Sequence, residues 1–434
     1  MAQTVITRFP PSPTGFLHIG GVRTALFNYL FTAHNGGVMY LRFEDTDKER
    51  SKKEFEDDIV AGLAWLGIPY TLADNPRQSE RLSVYQPYVA RLIKEGHAYE
   101  AEESENTPGK KVVRFKNPNS SITFHDAIRG SVTFDTTELG DFVIARNTDE
   151  PLYHLAVVID DHDMGVTHII RGEDHVSNTQ RQILIQEALG FVRPEYAHIP
   201  LILAPDKSKL SKRHGALSIN EYRAQGFIAE ALLNYLALLG WNPGTNQELY
   251  TLEELAKEFT LDRVHKAGAV FDIHKLLWFN HEHLKKLSDT EYATRLGEFA
   301  KKDVDPRVLP LLKARAQTLA EAATALTEEF GFLGDISYDP ALLLQGGKLQ
   351  AESTSNHLRA VAGLLEHLPD ESFTAEQLKD ILWPYATDQG RGAVLWPLRV
   401  ALSGKEKSPD PFVIAALLGK TEALLRIARA AKNL

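Results

Sequence analysis

Two short segments of this 434-residue chain carry residue types suited to phosphate chemistry. The first runs Arg8-Phe9-Pro10-Pro11-Ser12-Pro13-Thr14-Gly15-Phe16-Leu17-His18-Ile19-Gly20-Gly21. Its prolines fix a loop, and Gly15, Gly20 and Gly21 let a phosphate or an adenine approach the backbone closely. His18 can donate to a phosphate that gains charge in a transition state. Gly15 and Gly20 have P-loop spacing, but Gly21 and Val22 stand where Lys and Ser or Thr are required, so that motif fails. The second segment, Lys207-Ser208-Lys209-Leu210-Ser211-Lys212-Arg213, is a basic loop able to place ammonium groups on a departing pyrophosphate. Alone, a His-Ile-Gly word is weak and a lysine-rich loop is a solvated loop. Together they are specific, because each follows a strand of what reads as one sheet.

The elements that must hold them alternate as βαβα over the first 95 or so residues. Thr4 to Arg8 reads as a strand, Val22 to Asn35 as a helix and Val38 to Phe43 as a second strand. Phe55, Ile59, Leu63 and Leu66 recur at helical spacing up to Gly67, and Leu82, Tyr85, Val89, Leu92 and Ile93 do so up to Gly96. From 97 to about 150 the helical period fades into β-rich stretches at Val112 to Phe115, Ser131 to Phe134 and Phe142 to Ala145, the pattern of a small α+β insertion. The alternation then returns, with strands expected at Leu155 to Ile159, Val166 to Arg171 and His198 to Leu203 and a helix near 177 to 189. This predicts an α/β fold with one doubly wound parallel sheet of Rossmann type, interrupted by the insertion. The following chain is mostly helical. Ser218 with Glu221 and Thr251 with Glu254 form capping boxes, Ile228 to Leu239 is an apolar helix ending at Gly240, and a polar stretch near 335 to 356 divides the remainder.

Composition narrows the function classes. The chain is 43% hydrophobic and 24% charged, and it has no cysteine, which rules out disulfides and thiolate zinc sites and fits a reducing compartment. No run of about 18 apolar residues occurs, and the N-terminus lacks a secretory pattern, so no membrane partner is expected. A net charge of −10 argues against non-specific nucleic-acid binding. A nucleic-acid partner would need local basic surface, for which Lys110, Lys111, Arg114 and Lys116, and Lys420, Arg426, Arg429 and Lys432, are the candidates. Asp160-Asp161-His162-Asp163, with His168 and His175, has the look of a metal site but reads better as the acidic end of a strand and a turn at Met164-Gly165.

The two phosphate segments resemble the HIGH and KMSKS motifs of class I aminoacyl-tRNA synthetases, His18-Ile19-Gly20-Gly21 standing for the first and Lys209-Leu210-Ser211-Lys212-Arg213 for the second. The flanking words look like the glutamyl-tRNA synthetase family: Arg8 to Gly15, Phe43-Glu44-Asp45-Thr46-Asp47, Arg171-Gly172-Glu173-Asp174-His175 and Lys209 to Ala216. The resemblance continues through Leu239-Gly240-Trp241-Asn242-Pro243 and Pro397 to Ser403, so it covers nearly the whole chain.

What the resemblance implies is glutamate–tRNA ligation with ATP and Mg²⁺ in a cytoplasmic, monomeric enzyme, with tRNA-Glu as partner and tRNA-Gln as a second acceptor to test. His18, Lys209 and Lys212 would serve catalysis. Gly15, His18, Gly20, Gly21 and Lys212 would bind ATP. Arg8 and Arg171 would take the glutamate carboxylates, Glu44 its ammonium, and Tyr153 and Ser12 would add hydroxyls. Without that context Arg8 and Arg171 read as structural salt bridges and Tyr153 as a core aromatic. The implied domains are a catalytic domain over 1–96 and 151–217, an acceptor-stem insertion over 97–150, a stem-contact helical domain over 218–300 and an all-helical anticodon region over 301–434. Trp383, Tyr385, Arg391, Trp396 and Arg399 are candidate anticodon readers. Two departures stand out. Glu100 to Glu105 follow Ala98-Tyr99 where many members bear a zinc hook, so no zinc is expected, and Val157 stands where some members have Asn. The alternatives are a glutaminyl enzyme and a tRNA-binding paralogue that has lost catalysis.

Overall fold

The computed structural model describes residues 4–103, 111–210 and 217–434. Lys212, with Ser211 and Arg213, and Lys110 lie outside the described residues. The chain divides into two compact units, Met1–His283 and Leu284–Leu434.

The first unit is built on parallel strands. β1 (Ile6–Phe9), β2 (Val38–Phe43) and β3 (Thr71–Arg77) pair in the order β1-β2-β3, all parallel. The crossovers are α1 (Ile19–His34) and α2 (Lys53–Leu66), the latter ended by Gly67 in the left-handed region at φ 66°. β3 was not expected. Its Asp74, Asn75 and Pro76 are turn formers, and Asn75 takes φ 50° where the pairing with β2 shifts register. α3 (Leu82–Lys94) then leads into the insertion.

The described part of the insertion is antiparallel. β4 (Ala98–Glu102), β5 (Lys111–Phe115) and β8 (Phe142–Ala145) form one sheet, and β6 (Ser121–Asp126) with β7 (Gly130–Asp135) form a hairpin. Its helical share comes from the flanking α3 and α4, whose Leu92 and Leu155 share a core with Val113 and Phe115.

α4 (Tyr153–Asp163) corrects an expectation, because the run Leu155 to Ile159 is helical and not a strand. All five of its residues are buried, so no polar face interrupts the apolar run, and such a run does not reveal its period. The Asp160–Asp163 cluster therefore ends a helix, with the turn at Met164 and Gly165 following. β9 (His168–Gly172), α5 (Val176–Ala188) and β10 (Glu195–Ile199) restore the parallel pattern, β10 pairing with β9. Thr167 donates its amide to the Ile6 carbonyl and receives the Ile6 amide on its hydroxyl, which sets β9 beside β1. The strand expected over His198 to Leu203 is broken by Pro200, which lacks an amide donor, and resumes as β11 (Ile202–Leu203) beside β12 (Ala269–Val270). α6 (Ile219–Ala224) and α8 (Leu252–Glu258) begin at the expected capping boxes on either side of α7 (Ala229–Leu238). α9 (Ile273–Lys286) closes the run.

The second unit, taken by itself, is helical, from α10 (Asp289–Ala300) through α11 (Leu309–Arg315), α12 (Leu319–Glu328), α13 (Ala351–Glu366), α14 (Ala375–Gln389), α15 (Arg391–Ser403) and α16 (Pro411–Leu418) to α17 (Lys420–Lys432). Arg426 is not surface charge as expected. It is buried and donates to the carbonyls of Phe332, Leu402 and Gly334. Trp396 donates to the Leu342 carbonyl and Arg399 to that of Ser408, whereas the Arg391 guanidinium lies 4.6 Å over the Trp383 ring.

The entry to β2 depends on Gly37, where a Cβ would fall 2.1 Å from the Val5 carbonyl oxygen that accepts the Val38 amide. Gly37→Ala is expected to destabilise the first unit by about 3 kcal/mol, read as a lower denaturant midpoint of its transition. A change within about 0.5 kcal/mol would contradict that packing.

Candidate active site

The carboxyl ends of β1, β2 and β9 open onto one cavity of about 590 Å³, the position where doubly wound sheets bind ligands. Arg8, Ser12, Gly15, His18, Gly20, Gly21, Glu44, Tyr153, Arg171 and Lys209 all line it. Of the expected site residues, that leaves only Lys212, which lies outside the described residues. Val157 is buried among the second core cluster and does not line the cavity.

The loop after β1 is tied down from three sides. Glu44 donates its amide to the Pro11 carbonyl, Lys52 donates to that of Pro13, and Asp58 accepts the Leu17 amide at 2.7 Å. Asp58 also accepts from Asn220 of α6. His18 then caps α1, its Nδ1 accepting from the amides of Gly20 at 3.1 Å and Gly21 at 3.3 Å. An amide only donates, so Nδ1 is an acceptor and the neutral ring carries its proton on Nε2. Helix capping thus fixes the tautomer a phosphate donor needs. Gly20 makes room for this ring, since a Cβ there would lie 3.0 Å from it.

Beneath the loop is a buried lattice of charge. Arg8 is 1% exposed and its Nε donates to Asp161 Oδ1 at 3.1 Å. Arg42 donates to the same oxygen at 2.9 Å and to Glu44 Oε1 at 3.1 Å. Burial works against the Arg42 charge, but Asp161, Asp160 and Glu44 outweigh it and raise its pKa. Burial also opposes the Asp161 charge, yet Arg8 and Arg42 hold it below the usual carboxylate range. For Glu44 burial prevails over Arg42 and Arg8, and its pKa is raised. The Arg8 Nη1 is buried with no hydrogen-bond partner among the described residues. A buried unpaired donor is costly, so this atom calls for an acceptor.

Arg171 differs. It is buried, and among the described residues its donors meet only neutral groups: His198 Nε2 at 3.1 Å, Gln182 Oε1 at 2.8 Å and Thr179 Oγ1 at 2.8 Å. Burial without a paired carboxylate lowers its pKa. A buried cation with only neutral partners is costly, which favours an anionic ligand beside it. The Tyr153 hydroxyl lies 3.1 Å from His175 Nδ1, and burial together with Arg171 pushes His175 down to about 4, leaving it neutral. Arg8, Arg171 and Glu44 line this end of the cavity, with Arg42 and Asp161 packed behind them.

At the other end of the cavity Lys209 is held 2.8 Å from Asp174, on a turn that returns Leu210 to the Ile202 carbonyl. The acidic run on α4 is used structurally, Asp160 accepting from Gln78, Arg81 and Tyr85 and Asp161 holding the two arginines. Among the described residues no three His, Cys, Asp or Glu side chains converge on a metal position.

Arg42, Asp161, Asp126 and His198 shape the site but were not read from the sequence as part of it. Arg42 had a signal, since it lies two residues before Glu44 on a strand and so shares its face. Asp161 and His198 are brought in by long-range packing that no local pattern encodes.

Comparison with known proteins agrees with this geometry. Residues 4–107 and 100–278 match the family described as tRNA synthetases class I (E and Q), catalytic domain, and residues 251–431 match an anticodon binding domain. The chain is 41% identical to a glutamate–tRNA ligase of Carboxydothermus hydrogenoformans, over 98% of this chain and 99% of that one. It is 43% identical to glutamate–tRNA ligase 1 of Rubrobacter xylanophilus, over 99% and 98%. The crystal structure of a glutamate tRNA ligase from Elizabethkingia meningosepticum, in complex with its amino acid, matches at a TM-score of 0.83 and 32% identity across 100% of both chains.

Asp161 neutralises two buried guanidiniums at once. Asp161→Asn is expected to cost about 3–5 kcal/mol of stability, measured by chemical denaturation at pH 7. A loss under about 1 kcal/mol would mean that the lattice is not held by that charge.

Proposed function

We propose the following function for a chain that belongs to the class I tRNA synthetases (E and Q): it is a glutamate–tRNA ligase that activates L-glutamate with ATP and transfers it to the 3′-terminal adenosine of tRNA-Glu. The observation that carries the amino-acid assignment is the pair of buried guanidiniums on one cavity. Among the described residues Arg8 has an unsatisfied Nη1 and Arg171 has only neutral hydrogen-bond partners, with Glu44 on the same cavity. Glutamate brings two carboxylates and one ammonium, which match two guanidiniums and one carboxylate. Arg8 and Arg171 take the carboxylates, planar donors meeting planar acceptors, while Glu44 takes the ammonium and Tyr153 and Ser12 donate hydroxyls.

In the first step a carboxylate oxygen of the substrate attacks the α-phosphorus of ATP, and the bond to pyrophosphate breaks. His18 Nε2–H, Lys209 and Lys212 stabilise the charge that passes to the leaving group, while Gly15, Gly20 and Gly21 admit ATP to the backbone. In the second, the terminal hydroxyl of tRNA attacks the adenylate carbonyl and AMP leaves. Neither step needs an enzyme-bound covalent intermediate, so positioning and charge supply the rate. Mg²⁺ is expected to arrive on the ATP phosphates. Zinc has no thiolate ligand in a chain without cysteine. The proposal includes a cytoplasmic monomer with an acceptor-stem insertion at 97–150, a stem-contact domain at 218–300 and an anticodon region at 301–434. A glutaminyl enzyme is disfavoured because an amide NH₂ would face guanidinium donors and leave a buried charge unpaired.

The direct test is attachment of labelled glutamate to purified tRNA-Glu and tRNA-Gln, alongside His18→Ala and Lys212→Ala. Charging of tRNA-Glu is expected, with each variant losing about 100- to 1,000-fold in kcat. Label on tRNA-Gln as well would make the enzyme non-discriminating, and no charging of either tRNA would overturn the reading.

The raised pKa of Glu44 adds a pH dependence. Its carboxyl becomes neutral at a higher pH than the ordinary 4.5, and the neutral form no longer attracts an ammonium. kcat/KM for glutamate should therefore fall on acidification before an ordinary glutamate would titrate. A profile flat down to the ordinary range would contradict the ammonium role.

A further inference from the structure

We propose that Asp126 and His198 are positioning residues for Arg171, fixing the imidazole tautomer whose free nitrogen orients that guanidinium toward the amino acid. The inference rests on the glutamate reading of the cavity and adds two residues to it, one from the insertion and one from β10.

Three hydrogen bonds define the relay. Asp126 Oδ2 lies 2.6 Å from His198 Nδ1 and also accepts the His198 amide at 3.0 Å. His198 Nε2 accepts from Arg171 Nε at 3.1 Å. A guanidinium only donates, so Nε2 must carry a lone pair and the ring proton must sit on Nδ1, facing the carboxylate. Both side chains are fully buried, which removes water as a substitute partner. Burial lowers the pKa of His198 despite the carboxylate beside it, so the ring stays neutral at pH 7. Asp126 is itself held by the amides of Ile128 and Arg129 on its other oxygen, where β6 turns into β7.

With Nε engaged, the two Nη atoms of Arg171 are steered by Gln182 and Thr179. The guanidinium thus has fixed orientation without a charged partner, which preserves its attraction for a carboxylate ligand. A carboxylate in place of His198 would orient it equally well and cancel that charge. A neutral acceptor whose tautomer is locked from behind does the first without the second.

The relay also joins two parts of the first unit. The hairpin touches the parallel sheet at Tyr196 with Asp126, and the Ala127 amide donates to the Tyr196 carbonyl. The segment proposed to hold the tRNA acceptor end is therefore linked, through His198, to the residue proposed to read the amino acid.

Asp126→Asn is nearly isosteric; with its oxygen kept on the Ile128 and Arg129 amides, its NH₂ meets the His198 backbone N–H and Nδ1, drives the ring proton to Nε2 and sets Nε2–H against Arg171 Nε–H. Steady-state charging of tRNA-Glu at saturating ATP and tRNA is expected to show KM for glutamate raised about ten- to a hundredfold, with KM for ATP within about twofold. The ¹⁵N shifts of the His198 ring, assigned by loss in His198→Gln, should report a proton on Nδ1 in the wild type and on Nε2 in the variant. His198→Gln keeps a carbonyl acceptor for Arg171 and should hold KM for glutamate nearer the wild-type value than His198→Leu does. If Asp126→Asn fails to fold, the Gln and Leu pair carries the test by the same ordering. A flipped tautomer with unchanged KM for glutamate, equal KM values for Gln and Leu, or a parallel rise in KM for ATP would overturn the relay. Wild-type protein that does not charge tRNA with glutamate would instead overturn the reading beneath it.

Discussion

A guanidinium buried without its own carboxylate is the constraint on which this catalytic unit turns. Such a charge costs several kcal/mol unless hydrogen bonds and a counter-ion repay it. The fold spends Asp161 on Arg8 and Arg42 jointly, and gives Arg42 the further task of holding Glu44. Among the described residues Arg171 receives only neutral acceptors. Arg8, Arg171 and Glu44 line a shared cavity, and in the proposed function the amino acid supplies the partners that they lack.

The phosphate end of the cavity is organised on a different principle, helix capping and loop fixation. His18 caps the first amides of α1 with Nδ1, which places the proton of the neutral ring on Nε2. The loop before it is held by Asp58 and by backbone bonds to the segment after β2, so the phosphate donor and the Glu44 carboxylate are fixed to one another. A displacement of β2 would move Glu44 and the loop that carries His18 together, so the tight approach at Gly37 bears on a cavity that it does not line.

Much of this was legible in order along the chain. The βαβα alternation, both capping boxes and the two phosphate segments rest on local chemistry that glycine, proline and periodicity report. Leu155 to Ile159 was not legible as a helix, because burial on every side erased the polar face that reveals a period. β3 was hidden behind turn-forming residues that here bulge within a strand. Arg8, Glu44 and Arg171 lie in words that could be recognised, whereas Asp161 and His198 act across 153 and 27 residues of sequence. Their partners are fixed only once the sheet has formed. Arg426 shows the converse, a basic residue whose composition suggested surface and whose carbonyl contacts place it inside.

The central claim is that the cavity reads two carboxylates with two buried guanidiniums. The most direct measurement is kcat/KM for glutamate against kcat/KM for glutamine with one tRNA preparation. Glutamate should be preferred by about ten-thousandfold, because the amide leaves a buried cation facing donors. A ratio within about tenfold, the scale of discrimination by mere size, would contradict it.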